Sequence, residues 1–118
     1  MFKYFKYSEF DSPDAPGSGE LINDDFVLLL DKAREIAAIP FVINSGVRTE
    51  SHNQKVGGVS DSSHIFGYAA DIACKDSVAR WKILNALLEV GFNRVGISNS
   101  FIHVDVDPKK SPNVIWTY

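Results

Sequence analysis

Between Phe101 and Val106 the chain reads FIHVDV, and no other stretch constrains the fold as strongly. Along an extended strand, successive side chains point to opposite faces. Ile102, Val104 and Val106 therefore share one face, and Phe101, His103 and Asp105 share the other. The aliphatic face belongs in a core, so a histidine and a carboxylate stand side by side on the opposite face. AADIAC, from Ala69 to Cys74, alternates in the same way, with Ala69, Asp71 and Ala73 on one side and Ile72 and Cys74 on the other. If both strands lie in one sheet, Asp71 and His103 are neighbours on a common face.

The remaining pattern supplies the layers. A chain of 118 residues, 45% hydrophobic and 23% charged, fits one globular domain over 1–118. Residues 1–10 read as a short extended start and 11–20, rich in Pro, Gly, Ser and Asp, as a loop. Asn23 or Asp24 caps a helix whose buried face is Phe26, Leu29, Leu30, Ala33 and Ala37, with Asp31, Arg34 and Glu35 pointing elsewhere. Pro40 ends it, and Phe41 to Asn44 form a short strand broken by Gly46. From Thr49 to Ser63 the polar sequence reads as a helical turn and a loop. Asp76 or Ser77 caps a second helix, 78–90, with Trp81, Leu84, Leu87 and Leu88 on its apolar side and Gly91 as the left-handed residue beyond it. RVGIS and FIHVDV make two strands joined near Asn99 and Ser100, and Val114, Ile115 and Trp116 form a further strand or a cover over the core. Both tryptophans are expected in the core rather than as sugar-stacking platforms. This order predicts an α+β fold: a mainly antiparallel sheet with helices packed on one face.

Charge and hydropathy exclude several classes. The formal net charge is −3 and no basic run exceeds Lys109-Lys110, so a nucleic-acid partner is not expected. The longest apolar run, FVLLL, is far short of a span, and no stable membrane association is expected. MFKYFKYSEF has no apolar signal-peptide region, so synthesis in a cytoplasm without an export signal is the expectation, as is a monomer. The single cysteine, Cys74, reads as a buried small hydrophobe.

His64 comes from the loop before Ala69 and adds a third group to Asp71 and His103. Imidazole and carboxylate are ordinary zinc ligands, and three protein ligands leave a fourth position open, as in catalytic zinc sites. Such a metal lowers the pKa of its water to about 7 and polarises a carbonyl. Gly67 allows a tight turn between His64 and the strand, and Ala69 and Ala70 leave room. From spacing alone, a metal site and ordinary hydrogen-bonded histidine–acid pairs both remain open.

SGVRTESHNQKVGGVSDSSHIFGYAADI resembles the zinc D-Ala-D-Ala carboxypeptidase family, the M15 peptidases, whose relatives include phage endolysins and the zinc fold of hedgehog signalling domains. Ser62, His64, Gly67, Ala69 and Asp71 meet the pattern S-x-H-x-x-G-x-A-x-D; Ser45, Gly46 and Arg48 meet an upstream SGxR; His103 and Asp105 meet a late H-x-D. The resemblance covers about Ser8 to Val106 and implies a hedgehog/DD-peptidase-like fold. It implies Zn2+ held by His64, Asp71 and His103, with Arg48 facing the substrate carbonyl or its developing oxyanion. Ser62 is expected to contact substrate or the ligands, Tyr68 to line the cleft, and His52 to lie at the surface or the cleft rim. The sequence departs from the pattern at one point: several relatives carry a carboxylate three residues before the last ligand, where Ser100 stands here. Asp105 is the nearest carboxylate and has two open roles, general base or orienter of His103.

The implied activity is hydrolysis of a peptidoglycan stem peptide, by D-Ala-D-Ala carboxypeptidase or L-Ala-D-Glu endopeptidase action. The alternative is a non-catalytic, zinc-stabilised binding module for the same peptide. If the chain is a phage-type lysin, its site of action is the cell wall.

Overall fold

The computed structural model describes residues 2–118, so Met1 lies outside the described residues. Tyr7–Phe10 and Ser18–Leu21 form single 3-10 turns, so the expected extended start is instead irregular chain running into a turn. Helix α1 spans Asp24–Ala37, strand β1 Ile43–Ser45, helix α2 Glu50–Lys55 and strand β2 Ala69–Ala73. Helix α3 spans Ser77–Glu89, followed by strands β3 (Arg94–Ile97), β4 (Phe101–Asp105) and β5 (Val114–Thr117).

Local chemistry sets the helix ends. The Asn23 side chain accepts from Phe26 N at 2.9 Å, Thr49 from His52 N at 3.1 Å and Asp76 from Ala79 N at 2.8 Å, each satisfying a backbone donor that the first turn leaves open. Helix α1 stops at Ala37, before Pro40, with Ala38 in the left-handed region. Helix α3 is followed by Gly91 at φ 103°, a conformation that costs glycine little.

The strands form one sheet in the order β1-β2-β4-β3-β5. All neighbours are antiparallel except β3 and β5, which pair in parallel, so the sheet is mixed though mainly antiparallel. Helices α1 and α3 pack together over one face. Phe26, Val27, Leu30 and Ala33 of α1 and Ile83, Ala86 and Leu87 of α3 meet Ile72, Val95, Ile102 and Val104 of the sheet in one core. Cys74 is buried in that core, and burial pushes its thiol up. With the apolar side chains of β2, β3 and β4 spent there, the opposite face is left to the alternating polar positions.

Two expectations about the core fail in an instructive way. Trp81 is 68% exposed and Leu88 44%, because the buried side of α3 is Ala79, Ile83, Ala86, Leu87 and Val90, a stripe at helical spacing turned away from both. Asp31 lies off the apolar stripe of α1 but is buried, where it accepts from Lys3 N at 2.7 Å and Tyr4 N at 3.1 Å and fastens the N-terminal segment to the helix.

Gly67 joins the His64 loop to β2 at φ +75°, and a Cβ there would lie 2.4 Å from the Leu21 carbonyl oxygen. Gly67→Ala is therefore expected to destabilise the protein by more than about 1 kcal/mol, measured as a lowered urea midpoint. An unchanged midpoint would mean that the loop relaxes freely, and that Gly67 does not fix His64.

Candidate metal centre

Register builds the site. Asp71 on β2 stands directly opposite His103 on β4, and Ser45 on β1 opposite Asp71. Gly96 on β3 is opposite His103, and Trp116 on β5 is opposite Gly96. Ser45, Asp71, His103, Gly96 and Trp116 thus form one row across the sheet on the face away from the helices. His64 reaches this row from the loop before β2, held by the backbone bonds Arg48 N to His64 O (3.1 Å) and Gly67 N to His64 O (3.3 Å).

The three side chains expected as ligands meet. His103 Nδ1 is 2.9 Å and His64 Nε2 3.3 Å from Asp71 Oδ1, and the donor atoms of the trio all lie within 4.8 Å of one another. All three residues are buried. The outer nitrogen of each ring is tied elsewhere. His64 Nδ1 is 2.7 Å from the Gly46 carbonyl oxygen, which has only lone pairs to offer, so the ring donates there and keeps Nε2 free to ligate. His103 Nε2 is 2.7 Å from Asp105 Oδ2, which leaves Nδ1 facing inward.

This donor set fits a zinc ion. At metal–ligand distances of about 2.0–2.2 Å, ligand atoms on a tetrahedron stand about 3.3 Å apart, close to the two spacings converging on Asp71 Oδ1. Each imidazole also has the outer acceptor that metal-binding histidines usually carry. Without a metal, His103 has a carboxylate at both ring nitrogens and needs a second proton to satisfy them.

Arg48 follows β1 and reaches the same carboxylate. Its Nη2 is 3.4 Å from Asp71 Oδ2, while Nε donates to Ser45 Oγ at 3.0 Å and Nη1 to Asn53 Oδ1 at 3.2 Å. Three of its five N–H donors are thus engaged in holding the guanidinium flat against the site. A cleft of about 420 Å³ opens over the row, lined by Arg48, Ser62, His64, Asp71, His103 and Trp116 among others. Ser62 is buried, and its hydroxyl accepts from His64 N at 3.3 Å.

The geometry favours the second of the two roles open to Asp105. It is 1% exposed, with Oδ2 on His103 and Oδ1 taking Arg94 Nε at 2.7 Å and Asp107 N at 3.1 Å. A general base needs a lone pair aimed at the proton it removes, and both oxygens here are aimed at fixed partners. Tyr68 does not line the cleft. It precedes β2 at a position of the same parity as Ala70 and Ile72, the core side, and its carbonyl accepts from Val106 N at 3.0 Å. His52 sits half-buried on α2, also outside the cleft lining. Ser100 is exposed in the β3–β4 turn, its carbonyl accepting from Cys74 N at 2.9 Å.

Several cleft residues carry no role in the sequence pattern. Arg94 shares the parity of Gly96 in RVGIS, a signal that alternation alone offers. Trp116, expected in the core, is instead half-buried on the edge strand and walls the cleft, its ring 5.4 Å from His103 and under Arg94 at 5.2 Å. Nothing local marks Tyr118 in the cleft lining, or Asn53, which lies outside it and holds Arg48.

Burial alone would push the Asp71 and Asp105 carboxyls up. The hydrogen bond from His103 and the nearby His64 ring reverse this for Asp71, and bonds to His103 and Arg94 reverse it for Asp105, so both are held below the usual carboxylate range. Burial would lower His103, but Asp105 and Asp71 at its two nitrogens raise it. In protein stripped of metal, the depressed carboxylates contribute stability that is present above about pH 4 and lost as pH falls through their folded values. The raised His103 contributes stability that is full below about pH 6.5 and lost as pH rises through its folded value. The melting temperature of chelated protein is expected to decline on the alkaline side, and His103→Gln to flatten that decline; an identical slope in the variant would mean that His103 carries no such linkage.

A family model described as peptidase M15 matches residues 3–105. Among curated proteins, none matches the chain. The match takes in β1 to β4 and every residue from Arg48 to Asp105 named above, and β5 lies beyond it. With its matched sequence and its α+β sheet carrying the His64–Asp71–His103 cluster in a cleft, the chain belongs to the peptidase M15 family.

Proposed function

We propose that this peptidase is zinc-dependent and hydrolyses stem peptides of peptidoglycan. One observation carries the metal: both imidazoles are fixed through an outer nitrogen and turn the inner one toward Asp71. The substrate class rests on the SGxR, SxHxxGxAxD and HxD resemblance.

His64, Asp71 and His103 would hold the ion. Bound there, zinc supplies Lewis acidity toward the scissile carbonyl and lowers the pKa of its water to about 7. The chain's own groups do the rest. The Gly46 carbonyl and Asp105 fix the two rings. Arg94 holds Asp105 in turn. Arg48, with two N–H groups left, presents positive charge to a carbonyl oxygen as it becomes an oxyanion. Among the described residues, Asp71 and Asp105 are the only carboxylates lining the cleft, and neither has a free oxygen. A proton leaving the attacking water would therefore pass to solvent, and the leaving amide nitrogen would take one up from solvent as its C–N bond breaks. Turnover slower than in relatives with a positioned carboxylate is the consequence.

That same lack of a free base favours a second reading, a zinc-stabilised module that binds the peptide without cutting it. Incubating zinc-loaded protein with purified muropeptides, with His103→Ala as control, separates the two by mass spectrometry. Loss of one alanine marks carboxypeptidase action, and a cut between L-Ala and D-Glu marks endopeptidase action. No product with zinc fully bound would sink the hydrolytic reading. A chelator is expected to abolish hydrolysis while the fold, followed by circular dichroism, persists; unfolding on chelation would mark a structural ion.

Asp105→Asn tests the orienting role separately. Zinc affinity is expected to fall about 10–100-fold. Unchanged affinity together with lost hydrolysis would return Asp105 to the role of base.

A further inference from the structure

The C-terminal strand adds chemistry that the family match does not reach. Strand β5 pairs with β3 beyond residue 105, where the match ends. Its Trp116 lies flat on the sheet because its partner across the pairing is Gly96. A Cβ on Gly96 would stand 2.5 Å from Trp116 Nε1 and 2.6 Å from Cε2. The indole N–H therefore sits directly over the residue opposite His103.

That N–H lies beside the Tyr118 side chain. Indole nitrogen only donates, so in any contact between the two the phenol oxygen accepts and its own proton points elsewhere. Two more contacts fix the residue: Tyr118 N donates to Ile97 O at 3.2 Å, and its ring packs on Phe101 at 5.1 Å. Tyr118 lines the cleft yet is 69% exposed, so a ligand can reach it. The phenol lies near enough to feel the charges of Asp71, Arg48 and Asp105, and burial raises it, which keeps it protonated. Arg48 follows the β1 edge of the sheet and Tyr118 the β5 edge, with His103 on the central strand between them.

We propose that the Tyr118 hydroxyl is a substrate-contacting hydrogen-bond donor, directed at the carbonyl oxygen of the scissile amide, and that Trp116 is its positioning residue. The inference rests on the peptidase reading above. Tyr118 keeps its proton throughout; it shares with Arg48 the negative charge that the oxygen gains as the amide is attacked.

Tyr118→Phe removes the hydroxyl and leaves the ring on Phe101. On a stem peptide, zinc-loaded Tyr118→Phe is expected to lose about tenfold to a hundredfold in kcat, with KM changed less than about threefold. Trp116→Phe, which removes the N–H anchor, is expected to lose less. Zinc content and melting temperature should match the wild type in both. A second readout does not depend on turnover: calorimetric binding of a phosphinate analogue of the peptide, whose tetrahedral anion imitates the attacked carbonyl. Tyr118→Phe is expected to weaken this binding about tenfold while the affinity of metal-stripped protein for the substrate peptide stays the same. Equal kcat, or equal phosphinate affinity, in wild type and Tyr118→Phe overturns the proposal and leaves the peptidase reading standing. A wild type that neither cleaves the peptide nor binds the phosphinate overturns both.

Discussion

The fold converges on one cross-strand pair, Asp71 opposite His103, 2.9 Å apart on the central strands β2 and β4. A slip of one residue between these strands would send either group to the helix-covered face and leave a charge unpaired in the core. The aliphatic residues of the same two strands forbid that slip. Ile72 and Ile102 are opposite each other and fully buried, as are Ala70 and Val104. Hydrophobic burial on one face thus fixes the geometry of the chemistry on the other.

The polar face is nearly symmetric about His103. Asp71 gives one oxygen to His103 Nδ1 and the other to Arg48; Asp105 gives one oxygen to His103 Nε2 and the other to Arg94. Each buried carboxylate is therefore matched by an arginine, which removes much of the penalty of holding it out of water. His64 breaks the symmetry, since its Nε2 approaches only the Asp71 side, at 3.3 Å. On that side two nitrogens and one oxygen converge without enough protons to satisfy one another, an arrangement that a divalent cation would resolve. On the Asp105 side every partner is already satisfied. The two carboxylates that flank His103 have different work because His64 stands on one side only.

How much of this is legible in the sequence depends on whether the signal is local. Period-two alternation in FIHVDV and AADIAC puts His103, Asp105 and Asp71 on one face, because strand geometry leaves a side chain only two directions. The caps at Asn23, Thr49 and Asp76 and the left-handed Gly91 sit where local chemistry puts them. Periodicity fails on α3, where two candidate stripes differ by a rotation and only the packing against α1 selects Ile83 and Leu87 over Trp81 and Leu88. It fails again at Trp116. An aromatic residue in a short apolar run reads as core, and only the parallel pairing with β3 turns it onto the polar face. Asn53, five residues beyond the Arg48 it holds, lies in a polar stretch where nothing sets it apart from its neighbours.

Gly96 shows what an absent side chain contributes. A residue on β3 opposite His103 would ordinarily fill the space beside the imidazole. With glycine there, the neighbouring strand reaches across, and Trp116 comes within 5.4 Å of the ring while Arg94 lies over the indole and holds Asp105. The wall of the cleft and the orienting chain of His103 therefore share one support. A change at the sheet edge reaches the site through Arg94 and Asp105 as well as through the cleft surface. Because Arg94 touches both, the outer strand is coupled to the orientation of His103.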